Sequence, residues 1–111
     1  MGQRVLIVDD HAGFRASARR MLECDGFEVV GEAADGAEAR VAARELLPDV
    51  VLVDVGLPDC DGRDLADELG TNSHVAVVLI SSRDDVESGG EALGFIPKDR
   101  LSGRAIKAMM P

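Results

Sequence analysis

Three continuous aliphatic runs are the feature that most restricts the fold of this chain. They cover residues 5–8, 50–53 and 75–80, and β-branched Val and Ile fill most of their positions. A strand with no polar residue on either face is typical of a parallel sheet that helices cover on both sides. The sequence therefore predicts an α/β domain built around buried parallel strands.

The segments between these runs have the spacing of helices. Phe14, Ala18, Met21 and Leu22 form one apolar stripe at helical intervals, and Gly26 follows at the place where the helix should end. A helix between the first two strands agrees with the right-handed crossover that a parallel sheet requires.

Further elements complete the same alternation. Asp35 and Glu38 resemble a capping box at the start of a second helix, and a last helix is predicted after Ser102. Residues 28–32 and 94–97 read as two shorter strands, the first of them near an edge of the sheet. The expected fold is a doubly wound, five-stranded parallel sheet.

The segment 84–93 is the weakest part of this pattern. Gly89 and Gly90 would each cost about 1 kcal/mol relative to Ala inside a helix. Acidic residues crowd the same segment, which favours a solvated loop. We expect a shortened or irregular fourth helix here. The acidic residues are Asp84, Asp85, Glu87 and Glu91.

Size, charge and cysteine content narrow the function classes. The 111 residues suit one domain spanning residues 1–111, and the net charge of −9 argues against direct contact with nucleic acid. Neither a membrane span nor a signal peptide is visible, so a cytoplasmic protein is expected. Cys24 and Cys60 fit no zinc spacing and are expected to be partly buried free thiols.

Polar groups follow four of the predicted strands. Asp9 and Asp10 follow the first, Asp54 the third, Ser81 the fourth and Lys98 the fifth. Because parallel strands end at one edge of the sheet, these groups should meet in one crevice. Clustered carboxylates need a cation, and oxygen ligands without His or Cys suit Mg²⁺. Because Mg²⁺ has little use for imidazole, the adjacent His11 is expected to be a surface residue at the start of a helix.

Four motifs resemble the receiver domains of two-component response regulators. They are VLIVDD (5–10), DVGLPDCDG (54–62), LISS (79–82) and GFIPK (94–98), in the family's order along nearly the whole chain. DDH after the first strand and GLP after the central Asp most resemble receivers attached to helix-turn-helix output domains. The resemblance implies the flavodoxin-like strand order 2-1-3-4-5.

The resemblance also implies roles for the residues at these strand ends. Asp54 would be the phosphoryl acceptor, and Asp10 would be a direct Mg²⁺ ligand that Asp9 assists. The backbone carbonyl of Gly56 would be a further metal ligand, and Lys98 would pair with the phosphoryl group. A sensor histidine kinase would be the phosphoryl donor, and such a domain assists its own phosphorylation and dephosphorylation.

Signalling in this family follows from movement after phosphorylation. Ser81 would move to hydrogen-bond the phosphoryl group, and Phe95 would be the switch aromatic that rotates into the space left behind. This would change the face formed by the fourth helix, the fifth strand and the last helix. A homodimer or an output domain is the further partner that this implies.

The sequence departs from the family pattern in two places. Only sixteen residues separate Ser81 from Lys98, which is short for the family. Either the fourth helix has lost a turn without consequence, or the output face is remodelled, and the acidic residues of this segment favour the second interpretation. Gly56 and Arg83 occupy the positions whose side chains tune hydrolysis of the phosphoryl group. Because Gly56 cannot orient a water, we expect a long-lived phosphorylated state.

Three other functions remain open from the residues alone. A Mg²⁺-dependent phosphatase of the haloacid-dehalogenase type also uses a strand-end Asp nucleophile, but it would need a second Asp where this chain has Gly56. A flavodoxin-like flavin carrier would need aromatic residues, and the chain has no Trp or Tyr. An interaction module with the receiver fold but without phosphorylation is the third alternative.

Overall fold

The three aliphatic runs are the inner strands of a five-stranded parallel sheet. A computed structural model describes residues 2–71, 75–83 and 90–110 and gives the strand order β2-β1-β3-β4-β5. This order and the parallel pairing confirm the predicted fold class. The strands are β1 (Arg4–Val8), β2 (Glu28–Ala33), β3 (Val50–Asp54), β4 (Ala76–Ser81) and β5 (Gly94–Pro97).

The described helices lie between successive strands or after the last strand. A 3₁₀ turn at Lys98–Arg100 follows β5. No helix in the described part of the chain has the length and hydropathy needed to cross a membrane. The helices of the described ranges are α1 (Ala12–Cys24), α2 (Gly36–Leu46), α3 (Gly62–Thr71) and α4 (Gly103–Met109).

Two hydrophobic layers cover the two faces of the sheet. Alternate residues of each inner strand point to opposite faces, so that Val5 and Ile7 belong to one layer and Leu6 and Val8 to the other. Helices α1 and α4 cover the first layer, and α2 and α3 cover the second. All four residues of the run 5–8 are fully buried, which is why the strand carries no polar side chain.

Local signals at the helix ends agree with the sequence. Asp35 accepts a hydrogen bond from the Glu38 N–H at 2.8 Å, and Glu38 accepts one from the Ala34 N–H at 2.8 Å. Ser102 caps α4 through the Ala105 N–H. The two cysteines were only half correctly predicted. Cys60 is partly buried, but Cys24 is exposed because it ends α1, two residues beyond the buried Leu22.

The predicted fourth helix lies mostly outside the described residues, since residues 84–89 are among those not described. The described residues that follow them contain a turn at Gly90 and Glu91 and no helix before β5. The Asp67 carboxylate of α3 accepts a hydrogen bond from the Glu91 N–H at 2.9 Å. Gly90 has φ of +60° and lies against the same carboxylate, where a β-carbon would not fit.

Candidate functional site

The polar residues that follow the strands meet at one edge of the sheet. Residues Asp9, Asp10 and Asp54 come from the ends of the neighbouring strands β1 and β3. One carboxylate oxygen of each, together with His11 Nδ1, lies within 4.8 Å of the others. This confirms the geometric expectation that distant segments bring these acids together.

The three acids differ in their contact with solvent. Asp9 is fully buried and Asp54 is only 6% exposed, whereas Asp10 lies at the surface. Buried carboxylates are rare unless a cation or hydrogen-bond donors compensate them. The Asp9 Oδ1 atom accepts a hydrogen bond from the His11 N–H at 2.8 Å. The two buried acids therefore require a cation close by.

Lys98 supplies that cation from the residue after β5. Its Nζ lies 2.6 Å from Asp9 Oδ2 and 3.5 Å from Asp54 Oδ2, and its side chain is 15% exposed. The contact with Asp9 is an ion pair without normal hydrogen-bond geometry, and Asp9 Oδ2 has no hydrogen-bond partner among the described residues. One ammonium thus faces two buried carboxylates.

Burial controls the ionisation of Asp54. Loss of solvent raises the pKa of this carboxyl, the Lys98 ammonium lowers it, and the neighbouring Asp9 raises it again. The Gly56 N–H also favours the ionised form, because it donates a hydrogen bond to Asp54 Oδ1 at 3.3 Å. The net effect is a carboxylate that is costly to keep charged without a further cation.

The donor set fits a hard divalent cation. Asp9 offers a buried oxygen without a hydrogen bond, and Asp10 and Asp54 offer further carboxylate oxygens within a few ångströms of it. Oxygen ligands in a partly exposed pocket suit Mg²⁺, which keeps several waters in its coordination sphere. These acids could therefore hold Mg²⁺.

Ser81 lies at the same edge of the sheet as the three acids, and the Arg83 backbone contacts it. Ser81 ends β4 and is 6% exposed, one residue beyond Ile80, the β4 partner of Asp54. Its hydroxyl accepts a hydrogen bond from the Arg83 N–H at 3.1 Å. The register therefore places Ser81 at the same sheet edge as Asp54.

Phe95 lies on β5 opposite Leu79 and is half-buried against the layer that α2 and α3 cover. Gly56 is exposed in the loop after β3 and forms an isolated bridge with Asp61. The roles expected for Phe95 as a switch and for Gly56 and Arg83 in hydrolysis remain predictions.

Sequence reasoning missed three contacts of the acidic group, all of them from the start of α1. His11 is a surface residue as predicted, but its Nδ1 lies 3.1 Å from both Asp9 Oδ1 and Asp10 Oδ1. Phe14 was predicted only as a core residue, yet its ring lies under the Lys98 ammonium. The contact of Phe14 with Lys98 depends on where α1 begins relative to β5, and the contacts of His11 depend on its side-chain rotamer; no sequence pattern reveals either.

Arg15 is the third missed residue. Its Nη1 donates a hydrogen bond to the backbone carbonyl of Asp9 at 2.5 Å, and its Nε donates one to Glu32 of β2 at 3.0 Å. Arg19 donates a second hydrogen bond to Glu32 at 2.7 Å, which is the largest cause that lowers the pKa of that carboxyl. Arg15 thereby joins α1 and β2 to the backbone of a predicted metal ligand.

The sequence matches the profile of the response regulator receiver domain over residues 5–102. The chain belongs to this family. It is therefore a phosphoacceptor signalling domain of the two-component type, and receiver domains bind Mg²⁺ through their acidic pocket. In this chain, Asp9, Asp10, His11 and Asp54 form a group of possible metal ligands at the sheet edge.

Two curated proteins show how far the similarity to this chain extends. The chemotaxis protein CheY of Thermotoga maritima is 39% identical over 98% of this chain and 96% of its own length. The transcriptional regulatory protein PdtaR of Mycobacterium tuberculosis is 41% identical over 81% of this chain and 45% of its own length. The chain spans about half the length of the first curated relatives that it matches.

Solved structures agree with this assignment. The signal receiver domain of a NarL response regulator from Mycobacterium tuberculosis superposes with a TM-score of 0.82 at 36% identity, covering 96% of this chain and 92% of that one. A LuxR-family response regulator from Aurantimonas gives a TM-score of 0.83 at 27% identity, covering 98% of this chain and 83% of that one. Both neighbours agree with the family assignment, since each is described as part of a response regulator.

Proposed function

We propose that Asp54 is the residue that accepts the phosphoryl group. The observation that carries this proposal is the environment of the Asp54 carboxylate. This carboxylate is buried, lies 3.5 Å from the Lys98 ammonium and is close to Asp9 and Asp10, which follow β1. The carboxylates of Asp9, Asp10 and Asp54 and the backbone carbonyl of Gly56 would hold Mg²⁺ in this proposal. When bound, Mg²⁺ would supply positive charge that offsets the negative charge of the phosphoryl oxygens.

The transfer uses a phosphohistidine of a sensor histidine kinase as the donor. An oxygen of the Asp54 carboxylate attacks the phosphorus, the new P–O bond forms as the P–N bond breaks, and the donor histidine leaves after taking up a proton. The nearby carboxylates repel the negatively charged phosphoryl group. The Lys98 ammonium, which lies close to Asp9 and Asp54, offsets this repulsion. In this sense the domain assists its own phosphorylation.

The signal leaves the site through Ser81 and Phe95. Ser81 moves inward and donates a hydrogen bond to the phosphoryl group from the hydroxyl that accepts one from the Arg83 N–H in this structure. Phe95 then changes its rotamer on β5, so that the face around β5 and α4 differs between the two states. Only the difference in free energy between these states shifts their populations.

The length of the relatives suggests which partners this domain has. Several of them are transcriptional regulators about twice as long as this chain, so we propose that phosphorylation of this receiver controls an output domain or the formation of a homodimer. The acidic charge of the chain argues that the output domain, rather than the receiver, contacts DNA.

The test is phosphorylation of the purified chain by acetyl phosphate with and without Mg²⁺. We expect the intact mass to rise by one phosphoryl group only when Mg²⁺ is present, and we expect Asp54→Asn to abolish the change. Asp61→Asn is the matched control, because Asp61 is a partly exposed aspartate of the same loop that pairs with Arg63. Phosphorylation of Asp54→Asn at the rate of the unaltered chain would refute the assignment of Asp54.

The same samples separate this function from the phosphatase alternative. A phosphatase of the haloacid-dehalogenase type turns over phosphomonoesters, and the carboxylate that would protonate its leaving group is replaced here by Gly56. We therefore expect no turnover of p-nitrophenyl phosphate under conditions in which acetyl phosphate modifies the protein. Sustained turnover that depends on Asp54 would favour the phosphatase instead.

A further inference from the structure

The Lys98 ammonium has a third neighbour besides the two buried acids. Its Nζ lies 4.5 Å from the centroid of the Phe14 ring, within the distance at which a cation is attracted to an aromatic face. We propose that Phe14 is a positioning residue for phosphoryl transfer, acting through Lys98. This inference rests on the proposed function, in which Lys98 stabilises the phosphoryl group.

The chemistry of an aromatic ring suits this task. A further carboxylate beside Lys98 would neutralise the ammonium and occupy its N–H donors. The ring attracts the cation through its quadrupole but accepts none of these donors in a conventional hydrogen bond. The ring thus restricts the position of Lys98 without using any N–H donor beyond the one that Asp54 Oδ2 accepts. Restricting a charged group before reaction is the means by which preorganised sites lower a barrier.

The fold holds the Phe14 ring in place independently of Lys98. Phe14 is the third residue of α1 and packs against the hydrophobic layer between the sheet and helices α1 and α4. The Lys98 side chain is 15% exposed, so little water competes with the ring for the ammonium. A cation–π contact of this kind is stronger when the cation is desolvated.

A second pair in the chain provides a matched control. Lys107 of α4 lies with its Nζ 5.4 Å from the centroid of the Phe27 ring, and neither residue belongs to the acidic group. Phe27 is buried in the hydrophobic layer against which Phe14 packs. Chemical changes to the Phe27 ring therefore report general effects on packing, without a change at Lys98.

The first experiment replaces Phe14 with ring-fluorinated phenylalanines by site-specific incorporation. Successive fluorination weakens the ring quadrupole and changes the ring's shape very little, so the domain keeps its packing. With Mg²⁺ saturating, we expect the rate of phosphorylation by acetyl phosphate to fall with each fluorine, by about threefold to tenfold for trifluorophenylalanine. Fluorination of Phe27 should leave the rate unchanged.

The second experiment observes the lysine directly by NMR. Lys98 and Lys107 are the only lysines of the sequence, so lysine-labelled protein gives two sets of side-chain signals. Ring current from Phe14 should shift the ε-methylene signal of Lys98 upfield, and Phe14→Leu should return it toward the random-coil value. The Lys107 signal should respond only to a change at Phe27.

The outcomes separate this inference from the proposed function. If the unaltered chain is phosphorylated but fluorination of Phe14 leaves the rate and the Lys98 signal unchanged, the role of Phe14 is refuted and the assignment of Asp54 stands. If fluorination of Phe27 slows the reaction equally, the effect comes from packing and the inference is also refuted. If the unaltered chain is not phosphorylated at all, both proposals fall.

Discussion

At the scale of single residues, we propose that Gly56 limits how a water can attack the phosphoryl group on Asp54. It is exposed two residues beyond Asp54, and apart from its two chain neighbours no described residue has an atom within 4 Å of the place where a β-carbon would be. Its φ is not among the positive values of the described glycines, so a larger residue fits without backbone strain. Nothing at this position can orient a water for attack on the acyl phosphate.

We predict that Gly56→Asn shortens the lifetime of the phosphorylated domain by at least about tenfold, because the amide can hold a water near the phosphoryl group. The measurement is the loss of radiolabelled phosphate after the donor has been removed. Gly56→Ala is the control, since it adds a β-carbon without an amide and should decay like the unaltered chain. Equal decay of all three proteins would show that this position does not limit hydrolysis.

Gly62 is required for a different reason, which is space beside the acceptor strand. A β-carbon on Gly62 would lie 2.0 Å from the carbonyl oxygen of Asp54 and 2.8 Å from the Val55 Cα. These are backbone atoms that cannot rotate away, so an Ala side chain must displace the end of β3. The Gly62 N–H also donates a hydrogen bond to the Val55 carbonyl at 2.8 Å.

Gly62→Ala should therefore lower the free energy of unfolding by about 2 kcal/mol and slow phosphorylation by moving Asp54. Gly13→Ala is the matched control, because Gly13 lies in α1 with nothing within 4 Å of its β-carbon position. That change should be neutral or stabilising by up to about 1 kcal/mol. Urea unfolding measures the free energy of unfolding of both variants, and equal stability of Gly62→Ala and Gly13→Ala would contradict the steric argument.

At the scale of elements, the loop after β3 is attached to the start of α2. The Asp59 carboxylate accepts hydrogen bonds from the Gly36 N–H at 2.8 Å and the Ala37 N–H at 3.1 Å. Together with Asp35, which accepts from the Glu38 N–H, it satisfies three of the free N–H groups of this helix end. The same loop contains Gly56, so α2 fixes the loop that adjoins the acceptor.

This attachment predicts a pH dependence. The Gly36 N–H is the largest cause that lowers the pKa of the Asp59 carboxyl in the folded domain. A lowered folded pKa gives stability that is present above the unfolded value of about 3.9 and is lost as pH falls through the folded value. Asp59→Asn should thus be less stable than the unaltered chain at pH 7, and the difference should disappear in acid. Thermal unfolding between pH 7 and pH 3 tests this, and a constant difference would contradict it.

The strands and the site residues that the sequence predicted are those marked by a pattern within one short segment of the chain. Continuous aliphatic runs identified the inner strands, and polar residues at their ends identified Asp54 and Lys98, because parallel strands must end at one edge. The contacts of Phe14, Arg15 and Asp59 could not be predicted in this way. Each joins segments whose relative placement depends on helix start, side-chain rotamer and loop path, none of which leaves a periodic pattern.

At the scale of the whole molecule, two kinds of repulsion oppose folding. The chain carries a net charge of −9, which acts over the entire surface and is weakened by any salt. The second kind is confined to the acidic group, where Asp9 and Asp54 are buried and share a single nearby ammonium. Only the second should respond specifically to a divalent cation.

We predict that Mg²⁺ stabilises the domain beyond the effect of KCl at equal ionic strength, by about 2.7 kcal/mol at one hundred times its dissociation constant. Asp54→Asn should be more stable than the unaltered chain without Mg²⁺, because burial raises the pKa of Asp54 and its ionised form is unfavourable there. It should also gain less from Mg²⁺, since a ligand is lost. Glu45→Gln removes one negative charge at the exposed carboxyl end of α2 and serves as the control. Calorimetry in matched Mg²⁺ and KCl solutions distinguishes these cases, and equal stabilisation by both salts would mean that the acids bind no cation specifically.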